Sequence, residues 1–224
     1  MIRSLTVDAS RRPIRLYALL AGVVHTLSFG QVHPNEIRAE ALYRQHCAQC
    51  HGADKQGSVG VPDLRGGVGS WGHSPDSIAQ TIRHGIRVQG HVGTRGGVMP
   101  SFKTNAAEFS DDEVAEVVEY ILRLRDQPHD AAIALRGKEN FEWCVACHGQ
   151  DARGNSSVGG SNLLAPRLQY GSARAALFES IAQGRAGVCP SWVEQIDAAD
   201  IDNLARYLAR IGEAVLQLPT LDKK

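Results

Sequence analysis

Apolar positions recur at helical spacing in two stretches of the chain. Val114, Val117, Tyr120, Ile121 and Leu124 make one stripe, and Ile201, Leu204, Tyr207, Leu208 and Ile211 make another. Each predicts a helix that buries one face against a core. The first is preceded by Ser110-Asp111-Asp112-Glu113, where a small oxygen-bearing side chain can cap the free N–H groups and carboxylates suit the positive helix end. Helices are also expected at about 35–49 and 131–146, with shorter ones at 77–84 and 173–183 and glycine-rich loops between. At the N-terminus Arg3, Arg11, Arg12 and Arg15 precede an apolar run from Leu16 to Val24, and Ser28-Phe29-Gly30 supplies a small-x-small cleavage site. This pattern predicts a signal peptide over residues 1–30 and a periplasmic mature protein. The run is shorter than the roughly 20 apolar residues of a membrane helix, so no membrane span is expected in the mature chain.

The remaining chain repeats itself. Cys47-Ala48-Gln49-Cys50-His51-Gly52 returns as Cys144-Val145-Ala146-Cys147-His148-Gly149, and Pro62-Asp63-Leu64 is echoed by Ser161-Asn162-Leu163. Trp71 matches Tyr170, and Ile82-Arg83-His84-Gly85 matches Ile181-Ala182-Gln183-Gly184. A duplication accounts for this spacing. The polar, proline-containing Asp126-Gln127-Pro128-His129-Asp130 reads as a linker. Two domains are therefore expected, at 31–128 and 129–224.

Composition narrows the chemistry. Lys and Arg together number 24, as do Asp and Glu, so no net field favours nucleic acid or an anionic membrane. Of the five cysteines, four sit in two CxxCH strings. Two cysteines three positions apart can add their sulfurs to the two vinyl groups of one haem, and the next histidine then reaches the iron. A zinc ribbon would place its CxxC pairs roughly 15–20 residues apart, whereas these lie at 47 and 144. Two covalent haem c groups are expected, held by Cys47 and Cys50 and by Cys144 and Cys147. With so many glycines and so small a core, the apoprotein should fold poorly.

Electron-transfer iron takes a sixth ligand opposite the histidine, usually methionine or histidine. Met1 belongs to the signal, which leaves Met99 in Gly-Val-Met-Pro-Ser-Phe. The second copy reads Gly-Val-Cys-Pro-Ser-Trp and puts Cys189 where Met99 stands, with His148 the only histidine after the linker. By position, His51 and Met99 would serve the first haem, and His148 and Cys189 the second. A thiolate stabilises ferric iron and a thioether raises the potential. Even a separation of about 240 mV would favour the electron on the first haem about 10⁴-fold, so current would run from the second haem to the first.

The paired CxxCHG strings, Ile82-Arg83-His84-Gly85, Val98-Met99-Pro100-Ser101-Phe102 and Gly184-Arg185-Ala186-Gly187-Val188 resemble the dihaem subunit III of cbb-type cytochrome oxidases and related class I cytochromes, over roughly residues 38–213. The resemblance implies an all-α fold of two tandem class I cytochrome c domains, each a few helices wrapped around one covalently bound haem. It also implies His51 and Met99 axial to one iron and His148 to the other. The chain departs from that subunit in Cys189 and in the expected absence of a membrane anchor. The expected function is single-electron transfer between redox proteins such as a dehydrogenase, an oxidase or a small cytochrome. The alternative is a thiosulfate-oxidising dihaem enzyme with the histidine/cysteine haem as catalytic centre and Arg174 and Arg185 as substrate-binding cations.

Overall fold

The computed structural model describes residues 33–65, 70–87, 95–96, 98–187 and 189–216, so the expected signal peptide lies outside the described residues. The expected helices form, with locally visible causes. Helix α1 (Pro34–His46) leads into the single turn α2 (Ala48–His51) that carries the first CxxCH. Helix α3 (Pro75–His84) has Ser74 accepting from the Ser77 amide at 3.1 Å and Pro75 in its first turn, a favourable N-terminal arrangement. Helix α4 (Asp111–Leu124) opens with a full capping box, in which Ser110 and Glu113 satisfy each other's backbone N–H. Asp130 caps α5 (Ala131–Asn140), and a 3₁₀ turn at Phe141–Trp143 joins it to α6 (Val145–His148), the second CxxCH. Helices α7 (Arg174–Gln183) and α8 (Ala198–Leu216) complete the set. None of these helices is long and apolar enough to cross a membrane, among the described residues.

Among the described residues strand is confined to two-residue pieces. β1 (Ile86–Arg87) pairs in parallel with β2 (Arg95–Gly96), and β3 (Val98–Met99) pairs antiparallel with β4 (Arg185–Ala186), with Val98 opposite Ala186 and Met99 opposite Arg185.

The helices do not pack in sequence order. α1 and α3 pack on α8, whereas α4 packs on α5 and α7. Each copy's terminal helix has gone to the other copy's CxxCH half. One core comprises Ala39, Tyr43, Ala79, Ile82, Ile196, Ile201, Leu204, Ala205 and Leu208, with Cys47, Leu64 and Trp192 against it. The other comprises Phe102, Phe109, Val114, Val117, Val118, Ile121, Leu122, Phe141, Cys144, Leu177 and Ile181, with Met99 and Leu163 against it. The first bundle is thus built from both ends of the described chain, about 33–87 and 189–216. The second is the continuous stretch of about 98–187 between them.

The bundles meet through equivalent loops. The Gly60 amide donates to the Gln169 carbonyl at 3.0 Å, and Gln169 Nε2 donates back to the Gly60 carbonyl at 2.6 Å. Gly159, at φ 73°, lies so close under Trp71 that a Cβ there would stand 2.6 Å from the indole ring. Gly60 faces Tyr170 more loosely, with a Cβ there standing 3.4 Å from the ring.

Candidate haem sites

Both CxxCH strings are single helical turns closed by a glycine with positive φ, Gly52 and Gly149, each at 77°. Glycine takes that conformation freely, and the chain can then turn back beneath the histidine. His51 Nδ1–H donates to the Pro62 carbonyl at 3.1 Å, and His148 Nδ1–H donates to the Ser161 carbonyl at 2.9 Å. Fixing Nδ1 in this way sets the tautomer and reserves Nε2 for a metal. Burial lowers the pKa of both imidazoles, against a smaller opposing push from these carbonyls, which favours the neutral ring that ligates. The sequence contained this signal in the spacing of Pro62-Asp63-Leu64 and Ser161-Asn162-Leu163, but not its purpose.

None of the five cysteines is paired in a disulfide. Burial pushes Cys47 up to about 11, with smaller contributions from the neighbouring Cys189 and Cys50 thiolates. Burial, with Cys147 adding to it, pushes Cys144 up to about 12. Two thiols and one tautomer-locked histidine per turn fit one covalent haem each.

The sixth-ligand candidates sit crosswise to sequence order. Cys189 belongs to the first bundle. Its amide donates to the Ile86 carbonyl and its carbonyl accepts from the Ile86 amide, both at 2.8 Å. Its thiol senses Cys50 and raises the pKa of Cys47. Three residues on, the Trp192 amide donates to the Ile82 carbonyl at 3.0 Å, and its ring packs edge-on to His46 with centroids 5.1 Å apart. Gly85 is required here, because a Cβ would stand 2.4 Å from the Cys189 carbonyl. Met99 belongs to the second bundle, packed with Cys144, Phe102 and Leu177. Ser101 Oγ donates to the Ala182 carbonyl at 2.6 Å, and Gly184 would crowd the Met99 carbonyl at 2.4 Å if it had a Cβ. Position along the chain led to the expectation of Met99 with His51 and Cys189 with His148; in the fold Cys189 lies on the side of Cys47, Cys50 and His51, and Met99 on the side of Cys144 and His148. The exchange follows the terminal helices, because each ligand loop is covalently attached to the helix after it.

The first bundle also holds a buried polar cluster that its sequence did not announce. Lys55, 8% exposed and at φ 65°, pairs its ammonium with Glu40 at 2.8 Å and lies 4.4 Å from the Tyr43 ring centroid. Tyr207 of α8 donates to Glu40, and Tyr43 donates to the Gly52 carbonyl at 2.5 Å. The two arginines considered for substrate binding have partners: Arg174 pairs with Glu119 at 2.5 Å, and Arg185 bonds Ser180 and Glu179 beneath the Tyr170 ring.

Comparison with known proteins agrees with this chemistry. The family model described as cytochrome c oxidase, cbb3-type, subunit III matches residues 34–121 and again 134–208. The chain is 37% identical over 173 residues to the Cbb3-type cytochrome c oxidase subunit CcoP of Cereibacter sphaeroides, covering 77% of this chain and 59% of that protein. Identity to the CcoP subunit of Azospirillum brasilense is 39% over 180 residues, covering 77% and 60%. Identity to the FixP subunit of Bradyrhizobium diazoefficiens is 38% over 180 residues, covering 78% and 60%. The chain thus spans about three fifths of the length of these relatives. With two family matches, each enclosing one CxxCH turn, the chain belongs to the family of the cbb3-type cytochrome c oxidase subunit III, dihaem c-type cytochromes with covalently bound haem.

Proposed function

We propose that this chain is a periplasmic carrier of single electrons with two unlike haems. The haem on Cys47 and Cys50 is ligated by His51 and Cys189, and the haem on Cys144 and Cys147 by His148 and Met99. The observation that carries this reading is the double hydrogen bond between Cys189 and Ile86, which keeps Cys189 with the first CxxCH turn. Each haem supplies a one-electron ferric/ferrous couple, and the protein sets its potential through the axial sulfur.

Thiolate ligation lowers the potential of the first haem and thioether ligation raises that of the second. Electrons then run downhill from the Cys47–Cys50 haem to the Cys144–Cys147 haem, the reverse of the direction expected from sequence order. A donor protein meets the first bundle and an acceptor the second. Relatives named as oxidase subunits support an oxygen-reducing oxidase as that acceptor. The arginine-rich, apolar N-terminus supports export to the periplasm. Catalysis of thiosulfate oxidation gains no support, since Arg174 and Arg185 are both committed to protein partners.

The test removes one haem. Full chain carrying Cys144→Ala and Cys147→Ala retains only the haem at Cys47 and Cys50. Low-temperature electron paramagnetic resonance of the oxidised protein is expected to show a low-spin thiolate signal, lost on Cys189→Ala. A histidine/methionine signal there would overturn the crossed pairing.

A further inference from the structure

Arg125, the residue after α4, is half-buried, with its Nε enclosed by protein. Its Nη1 donates to the Leu163 carbonyl and, at 3.0 Å, to the Ala165 carbonyl. Its Nε is the one buried side-chain nitrogen or oxygen without a hydrogen-bond partner among the described residues. A cation in such a place carries a desolvation penalty that is justified only by what it holds in position. What it holds is the loop 161–165, whose first carbonyl, on Ser161, accepts the Nδ1–H of His148 at 2.9 Å. The Leu163 amide is bonded in turn to the Ala152 carbonyl at 2.8 Å, so the loop is tied from both sides.

The first bundle solves the same problem differently. Aligning the stripes, with Tyr120 on Tyr207, puts Gly212 of α8 at the place of Arg125, and the Leu64 carbonyl is the only neighbour within 4 Å of a Cβ built there. The loop carrying Pro62 is instead pinned by Asp63, which pairs with Arg65 at 3.0 Å and with Arg167 at 3.1 Å.

We propose that Arg125 is a positioning residue for the second haem: it clamps the carbonyls of Leu163 and Ala165 and thereby fixes the Ser161 acceptor and the ring plane of His148. Partial burial also lowers the pKa of Arg125. The clamp needs the planar fork, because a lysine ammonium retains the charge but not the geometry that spans two carbonyls. A histidine whose outer hydrogen bond loosens changes both its basicity and its orientation toward the metal.

The inference rests on the reading that His148 ligates the second haem, and proton magnetic resonance of the full, haem-loaded chain separates the two. In the unaltered protein, hyperfine-shifted His148 ring protons are required. Their absence would refute that reading itself. In Arg125→Gln and Arg125→Lys, the resonances of His148 and of the Cys144–Cys147 haem are expected to move while those of the other haem stay. The potential of that haem should shift by about tenfold in equilibrium constant, 59 mV for one electron, upward in Arg125→Lys, which keeps the charge but loosens the bond that makes His148 a stronger donor. Unmoved resonances in both variants, or equal movement of both haems, would overturn the proposal. If Arg125→Gln fails to mature, Arg125→Lys decides by the same readout. Gly212→Arg, the converse graft, should move only the His51 haem, and no change there would count against the clamp.

Discussion

The side chain with most leverage over this protein is Cys189. A methionine at that position would give both haems the same ligand set. Cys189→Met is therefore expected to raise the potential of the Cys47–Cys50 haem and to abolish the thiolate resonance, as redox titration with optical detection will show. Glu40 carries a second effect. Its burial opposes ionisation, but the Lys55 ammonium and the Tyr207 and Arg44 donors outweigh that and hold its pKa at about 2, against an ordinary 4.5. A carboxyl whose folded-state pKa is depressed adds stability above its unfolded value and loses it as pH falls. The contribution should be intact above about 4.5 and gone near about 2. Glu40→Gln is expected to lower stability at neutral pH and to flatten this acid-side loss, measured by helix content against pH. The histidines and CxxCH cysteines were legible in the sequence because covalent haem attachment demands those residue types at adjacent positions. Lys55 and Arg125 were not, because a cation turned inward looks like a surface one; the Pro62 and Ser161 loops recurred visibly, but the role of a backbone carbonyl as acceptor has no sequence signature.

The helices themselves were largely legible at the scale of elements, since their stripes, caps and proline starts are local. The expected 131–146 helix differs in detail: a 3₁₀ turn at Phe141–Trp143 interrupts it. That turn shifts the aromatic by one position relative to the cysteines, so Phe141 sits in the second core where Tyr43 sits in the first. Four residues before each aromatic stands the small residue of the helix crossing, Ala39 in α1 and Gly137 in α5. At Gly137 a Cβ would stand 1.8 Å from the Glu116 carbonyl of α4. α4 and α5 therefore approach too closely for any side chain, whereas α1 accommodates the Ala39 methyl at zero exposure. Gly137→Ala should force the pair apart and destabilise the second bundle by about 1–3 kcal/mol, the usual range for overpacking. Thermal unfolding followed at the Cys144–Cys147 haem is the measurement, with the other haem as internal reference.

For the molecule as a whole, continuity of the second bundle is the new feature. Residues 98–187 contain Met99, α4, the second CxxCH turn and α7, which is a complete set of parts for one haem. Expressed alone behind an export signal, this segment is expected to mature with one haem and a histidine/methionine spectrum, checked by mass and by haem stoichiometry. The flanking stretches, 33–87 and 189–216, require each other, because α1 and α3 bury their apolar faces against α8 together with Ile196 and Trp192.

The duplicated motifs, the all-α class, the haem number and the identities of the candidate axial ligands were determined by the sequence alone, since each rests on residues within a few positions of one another. Which CxxCH turn each candidate sulfur lies beside was decided only by tertiary structure. The two copies are alike enough that either terminal helix offers the same apolar stripe, so linear order could not reveal the exchange. Packing of α8 on α1 and of α4 on α5, with the strand contacts of Ile86 to Cys189 and of Met99 to Arg185, carries each sulfur to the half of the fold that holds the other copy's CxxCH turn.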